Sequence, residues 1–582
     1  MSTPRLRFVL CWHMHQPWYR ETLDGDHALP WVYLHALKDY SDMAAHLEAH
    51  PAMRVVVNFT PVLLEQLAHY AERLRAWLNH GSSIPDPLLE LLAGLRPVPE
   101  DPDQRRELLR CCLRAHAPRM IDPHPGFREL LVPLGYPEIP EDDLPLLDYL
   151  DDQYFIDLLV WYHLAWLGHS LRAHPTVQGL MHKARLFDLA DRRALLSLFA
   201  EIIEGLPGRY RTLAESGQIE LSATPWSHPI VPLLLDFESA HCALPGCSLP
   251  VHPGYPGGEA RAEWQLAHGL AVFERFFGRR PQGVWLSEGS VSEQAVALLA
   301  RFGITWTASG EGVWHNSRRL SGLPHDTPEA RHALFVPHRM PQETTRLFFR
   351  DDGLSDRIGF EYQHWNNEDA VTDFLHHLHN IRNYLGKHAG ERVVSVILDG
   401  ENAWEYYPDN AWHFLGELYQ RLATDPLIEV TTFGEAQSQV PELELPRLCA
   451  GSWVHGSFST WIGEPAKNRA WDLLVEAKRA YDEVLASGRL DTHRRLDTHR
   501  RLDTHRRLEA GLQLAVCEGS DWFWWFSDDN PADSVQSFDR LYRQQLAHLY
   551  ELLGKPPPDA LARPLAHGGG HAANAGTMRR AP

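Results

Sequence analysis

The chain has 582 residues, 44% of them hydrophobic and 23% charged, the make-up of a soluble globular protein long enough for more than one domain. Its 76 acidic residues outnumber 55 basic ones. The formal net charge of -21 repels phosphate backbones and anionic lipid, so it excludes general nucleic-acid or membrane-surface binding and favours a neutral ligand.

From the N-terminus, Met1 to Arg7 precedes an apolar run too brief for a signal-peptide core, and no later stretch reaches transmembrane length. Arg7 to Trp12 reads as a buried strand, His35 to Ala49 as a helix and Arg54 to Phe59 as a second strand, a βαβ rhythm. The stretch from Tyr70 to Leu213 is helical and punctuated by proline, too long for a loop, and reads as an insertion. Further strands are expected at Ile219 to Ser222, Gly283 to Leu286, Thr305 to Ala308, Val393 to Leu398 and Ile428 to Thr432, with helices at Glu259 to Phe277 and Glu293 to Phe302. Such alternation predicts an α/β protein with a parallel sheet, open or closed into a barrel. Beyond it Lys467 to Ser487 and Pro531 to Gly554 read as amphipathic helices of a C-terminal bundle. The expected division is a barrel over 1–440 with its insertion at about 70–213, a helical domain over 441–555 and a disordered, Gly- and His-rich tail over 556–582.

A hexapeptide, Leu490-Asp491-Thr492-His493-Arg494-Arg495, recurs from Leu496 and from Leu502. Six residues advance about 600° around an α-helix, so neither the leucines nor His493, His499 and His505 share a face. The repeat reads as a solvated expansion. The seven cysteines (Cys11, Cys111, Cys112, Cys242, Cys247, Cys449, Cys517) are odd in number and scattered, which suits reduced thiols of a cytoplasmic protein. Cys242 and Cys247 flank a Pro-Gly loop, but no second pair completes a zinc site.

Two apolar runs end in a carboxylate: Trp285-Leu286-Ser287-Glu288-Gly289-Ser290 and Val396-Ile397-Leu398-Asp399-Gly400-Glu401. In an α/β barrel, catalytic groups sit where strands end, so such a pair can meet across the barrel mouth. Paired carboxylates are what glycosidic cleavage requires, although a lone strand-end acid is as often a helix cap. The first strand ends in His13-Met14-His15-Gln16-Pro17-Trp18, whose two histidines project to one side and suit hydroxyl binding or metal ligation. Asp351-Asp352 is an acidic pair of the kind usually found in a solvated turn.

With Gly217-Gln218-Ile219-Glu220-Leu221-Ser222-Ala223-Thr224-Pro225-Trp226-Ser227-His228-Pro229-Ile230 and Thr460-Trp461-Ile462-Gly463-Glu464-Pro465-Ala466-Lys467-Asn468, these segments resemble, in order, the five sequence regions of glycoside hydrolase family 57. Supporting echoes are Leu29-Pro30-Trp31-Val32-Tyr33-Leu34-His35, Lys38-Asp39-Tyr40 and Gly519-Ser520-Asp521-Trp522-Phe523-Trp524-Trp525. The likeness covers residues 8 to 550 and leans toward the α-amylase and amylopullulanase branch. It implies a (β/α)7-type distorted TIM-like barrel with a C-terminal helical domain, acting on α-glucans with retention at α-1,4 bonds, with α-1,6 bonds as a second linkage open to it, without a cofactor. By the same likeness Glu288 is the nucleophile and Asp399 the general acid/base. His13, His15, Glu220, Trp226, His228 and Trp461 fall in binding regions, and Glu401 supports the acid or the substrate. The competing readings are a 4-α-glucanotransferase or branching enzyme with the same carboxylates, a zinc hydrolase using His13, His15 and Asp399, and a non-catalytic glucan binder.

Overall fold

Seven parallel strand segments close into a ring in the computed structural model, which describes residues 4–140, 145–487 and 497–570. The named strands are β1 (Leu6–Met14), β2 (Val55–Phe59), β3 (Ile219–Ala223), β4 (Trp306–Ser309), β5 (His338–Arg339), β6 (Arg346–Phe349), β7 (Val393–Asp399), β8 (Ile428–Thr431) and β9 (Leu443–Glu444). Near-continuous runs of Val, Leu, Phe and Trp form β1, β2 and β7, because parallel strands covered on both faces present no solvated side.

Around the ring β1 pairs with β2 and β2 with β3. Single bridges then join Ala223 to Val284 and Gly283 to Trp306, which makes the segment at 283–284 the fourth stave. β4 pairs with β6, and the backbone N–H of Asp351 donates to the Ser395 carbonyl (2.8 Å), carrying the ring from the end of β6 to β7. β7 pairs back onto β1 along Arg7 to His13. Outside the ring, β8 lies along Leu6 to Val9 of β1, and β5 links β6 to β9.

β5, β6 and β9 were not anticipated. They are two to four residues long, too short for a period-2 pattern to emerge, and ring closure rather than local sequence makes them strands. Asp351 is likewise no solvated turn: it is buried, caps the following turn through Leu354 N–H and pairs with Arg331.

Between β2 and β3 the chain is helical, opening with Pro61–His80 and closing with Leu189–Glu215. The latter starts at a reciprocal capping box of Asp188 and Asp191, and its Tyr210 meets Phe59 of β2 edge-on at 4.9 Å. After β9 the helices Pro465–Ala486, Asp497–Cys517, Asp521–Trp525 and Ala532–Leu552 follow without a strand. A buried ion pair bolts them to the barrel: Arg261, on the helix Gly258–Phe277, donates through Nε to Glu518 Oε1 (2.7 Å). Tyr255 and Gln265 also donate to the Glu518 carboxylate, and such partners are what a buried charge requires.

The repeat enters the helix Asp497–Cys517, where His505 pairs with Glu509 on an exposed face. His493 and the His499 side chain lie outside the described residues. The expectation of a disordered tail is corrected for 556–570: a short turn at Asp559–Ala562 buries Leu561, Ala566 is buried too, and Gly569 and Gly570 N–H groups donate to the Asn530 carbonyl. Small apolar residues spaced among prolines were enough to dock it. All seven cysteines are free thiols, and no helix among the described residues is long and apolar enough to cross a membrane.

Candidate active site

At the C-terminal ends of the strands a row of polar side chains crosses the buried sheet, with Asp399 in register with His13, His13 with Asn58 and Asn58 with Ser222. Asn58 donates to Ser222 Oγ (2.9 Å), and its carbonyl oxygen accepts from Thr224 Oγ1 (2.9 Å) and faces His13 Nδ1 (2.6 Å). His13 therefore carries its proton on Nδ1. Burial drives its pKa down to about 3, with His15 adding to the fall and Asn58 opposing it, so the ring stays neutral. Its Nε2 then accepts from His228 Nε2 at 3.2 Å. His228 is held well below the usual histidine range by burial, and its Nδ1 meets Ser520 Oγ at 2.9 Å. His15 stacks on His228 with centroids 3.8 Å apart, and its ring nitrogens meet Thr60 Oγ1 (3.0 Å) and Asp521 Oδ1 (2.9 Å).

Glu288 sits in a sharp turn, Ser287–Gly289, with its own backbone left-handed (φ 58°). That conformation costs a non-glycine residue about 1–2 kcal/mol, a strain typical of functional sites. A Cβ on Gly289 would lie 2.7 Å from the Trp285 ring, so the turn needs glycine there. Ser309 Oγ donates to the Gly289 carbonyl (2.6 Å) and Ser452 Oγ to the Glu288 carbonyl (2.8 Å). The indole N–H of Trp453 donates to Glu288 Oε2 (2.9 Å).

Across the mouth, Asp399 ends β7 and accepts from Asn402 Nδ2 (2.9 Å). A Cβ on the next residue, Gly400, would collide with the Met14 side chain, so glycine lets this loop lie against β1. Arg350, at the end of β6, donates to the Ile397 carbonyl (3.1 Å) and lies over the Trp453 ring, 4.7 Å from its centroid. It thereby links the two acidic walls.

Burial raises both catalytic candidates. Glu288 is pushed up to about 8 by burial, the negative charge of Asp399 adds to the rise, and the Trp453 indole opposes it. Asp399 is raised by burial against Asn402, His15 and Arg350. The negative field of Asp399 acts on Glu288, whereas Asp399 itself is compensated by the Asn402 amide and the Arg350 cation. Two buried carboxyls in each other's field titrate as a coupled pair, and both are held above the ordinary carboxylate range.

Glu288 and Asp399 line a cavity of about 1000 Å³ with His13, His15, Glu401 and Trp453. The helical domain closes part of it with Asp521, Trp524, Trp525 and Phe538. Glu401 is buried and held well above the usual carboxyl range by burial, with Asp399 and Asp39 adding to the rise. Its Oε1 accepts from His15 N–H and Gln16 Nε2, both at 3.3 Å.

Four expected binding residues, Glu220, Trp226, His228 and Trp461, do not line the cavity. Glu220 is the second residue of β3, far from its C-terminal end, and binds Trp306 Nε1 (2.7 Å) and Gly434 N–H (2.8 Å). Trp226 turns onto the helix Gly258–Phe277 and donates to Glu65 (2.7 Å). Trp461 is fully buried behind Trp524, 5.9 Å between centroids. His228 stands behind His13 and His15. Asn58, Arg350, Asn402 and Trp453 were missed. Arg350 had a signal, since Leu347-Phe348-Phe349-Arg350 is another apolar run ending in charge; Trp453 had none.

His15, His228 and Asp521 bring one ligand atom each within 4.8 Å of one another, the one such group found among the described residues. The stacked imidazoles are only 20° from parallel, so their in-plane lone pairs run side by side instead of converging. This donor set suits hydroxyl recognition better than metal ligation, and it includes neither His13 nor Asp399 of the zinc reading.

Fold and site define a seven-stranded α/β barrel with an acid pair at its strand ends. The chain belongs to glycosyl hydrolase family 57, whose model matches residues 9–448, well over half of it. No curated protein matches it in sequence. Among solved structures it is similar to the GH57-type branching enzyme of the hyperthermophilic archaeon Pyrococcus horikoshii, at 15% identity over 94% of this chain and 89% of that one, TM-score 0.57. It is equally similar in fold to the α-amylase AmyC of Thermotoga maritima, at 13% identity over 94% and 93%, TM-score 0.57.

Proposed function

We propose that the chain cleaves α-glucosidic bonds of α-glucans with retention, in the manner of an α-amylase or amylopullulanase. The observation that carries this reading is the buried carboxyl pair Glu288 and Asp399 lining one large cavity. Asp399 protonates the departing glycosidic oxygen while Glu288 attacks the anomeric carbon, and the released Asp399 carboxylate then activates the acceptor. Positive charge developing at the anomeric carbon favours the Glu288 anion, and burial favours the protonated form of Asp399 that the leaving oxygen needs. The Trp453 indole stabilises that anion, and His13 and His15 line the cavity where the sugar would lie.

A transferase reading has its own support. Trp524, Trp525 and Phe538 roof the cavity with apolar surface, which keeps water from the glycosyl-enzyme and favours a sugar acceptor. The test is a time course on maltoheptaose that follows product length and the anomeric proton by NMR. Shorter products released first as the α-anomer support the hydrolase, and products longer than the substrate support the transferase. Release of the β-anomer first would refute retention.

A further inference from the structure

The loop beyond Asp399 is held from outside the barrel sheet. It runs along the cavity through Tyr406, then at Asp409, Asn410 and Ala411 takes three successive left-handed residues (φ 51°, 56° and 59°), none of them glycine. Asparagine and aspartate enter this region singly, but L-residues do not adopt it in runs. Contacts must therefore hold the run in place.

Asn410 supplies them on both sides of its amide. Its Nδ2 donates to Asp42 Oδ2 (2.9 Å), and its carbonyl oxygen accepts from Lys38 Nζ (2.9 Å). Asp42 in turn accepts from the backbone N–H groups of His169 (2.7 Å) and Ser170 (2.9 Å), in the helical insertion. Arg172 of the insertion pairs with Asp409 Oδ1. Nearer the acid, Arg119 Nε donates to the Tyr406 carbonyl (3.2 Å), and His116 meets the Tyr406 ring at 5.0 Å. Lys38 belongs to a π-helical turn, Ala36–Tyr40, and itself lines the cavity. Such turns are rare and recur at functional sites.

The ordinary reading is that the run only starts the helix Trp412–Thr424. A single aspartate suffices for that elsewhere in the chain, as Asp86 and Asp151 do by capping their helices with local side-chain bonds. Here no local cap is made, and the bonds reach instead to the cavity wall and the insertion.

We propose that Asn410 is a positioning residue through which the helical insertion fixes the loop after β7 and so aims Asp399. The proposal rests on the reading of Asp399 as the acid/base. Its test compares kcat/KM, which reports steps up to glycosyl transfer to the enzyme, on maltoheptaose and on α-maltosyl fluoride. The sugar leaving group needs a proton, and fluoride leaves without one. Asn410→Gly keeps the left-handed backbone without strain and deletes the amide, Arg172→Ala removes the second tie if the first variant fails to fold, and Asp399→Asn sets the scale.

The expected result is a loss of about 10- to 100-fold on maltoheptaose for Asn410→Gly, against less than about threefold on the fluoride, with the same selectivity and a larger loss in Asp399→Asn. Equal losses on both substrates, or none, in Asn410→Gly and Arg172→Ala would overturn the proposal. Asp399→Asn losing equally on both would instead remove the acid/base reading, and the proposal with it.

Discussion

The two walls of the cleft present their carboxyls by different means. Glu288 rests on a short strained turn braced by its near surroundings, Trp285 beneath it and Ser309, Ser452 and Trp453 around it. Asp399 opens a longer loop whose far end is fastened by Lys38 and Asp42, which lie between β1 and β2, and by Arg172 of the helical insertion. The contrast teaches that the nucleophile wall is braced by close neighbours, whereas the acid/base wall leans on contacts that reach the insertion. Change in the insertion can then alter proton delivery without disturbing the attacking group.

Four measurements sharpen or break this contrast. The largest effect is expected from Glu288→Gln, which should lower kcat on maltoheptaose on the order of 10⁴- to 10⁶-fold, as loss of a nucleophile does. Survival of turnover would end the assignment. Asp399→Asn should cost about 10²- to 10⁴-fold on the same substrate, and an undiminished rate would transfer its role to Glu401.

Trp453→Phe removes a hydrogen bond to a charged group, with an expected loss of about 10- to 100-fold in kcat. Because that indole opposes the rise at Glu288, its removal should also move the acid limb of the pH profile to higher pH. An unmoved limb would mean that the Trp453 bond does not tune the nucleophile.

The smallest effect is on stability. The unfolded chain releases the Glu288 proton near the ordinary value of 4.5, and the folded site holds it up to about 8, so wild-type stability falls as pH rises between those values. Glu288→Gln has no such proton to lose. Its melting temperature should gain on wild type from pH 5 to pH 8, by about 1 °C for each kcal/mol relieved in a chain of 582 residues. Parallel melting curves would show that the carboxyl is not held protonated.

Much of the barrel was legible because its strands are unusually pure. Arg7 to Trp12, Arg54 to Phe59 and Val393 to Leu398 are largely apolar runs of strand length; His13 and Asp399 follow the first and last, and Asn58 stands near the end of the second. β6 escaped notice because four residues carry no period. Glu220, Trp226 and Trp461 show the other limit. Their motifs marked the right neighbourhood, but strand position and helix contact turned the side chains away from the cavity.

The sequence by itself determined the chemistry available: which residues end the strands, where the sharp turn at Glu288 falls, and which family the chain joins. Those follow from covalent neighbours, which set local backbone preference and side-chain type. Only the tertiary structure decided which groups meet. Asp521 and Ser520 reach His15 and His228 from the far end of the chain, and Lys38 and Asp42 reach Asn410 across more than half of it. The raised carboxyls and neutral histidines of the site arise the same way, from burial and neighbouring charge that the fold alone supplies.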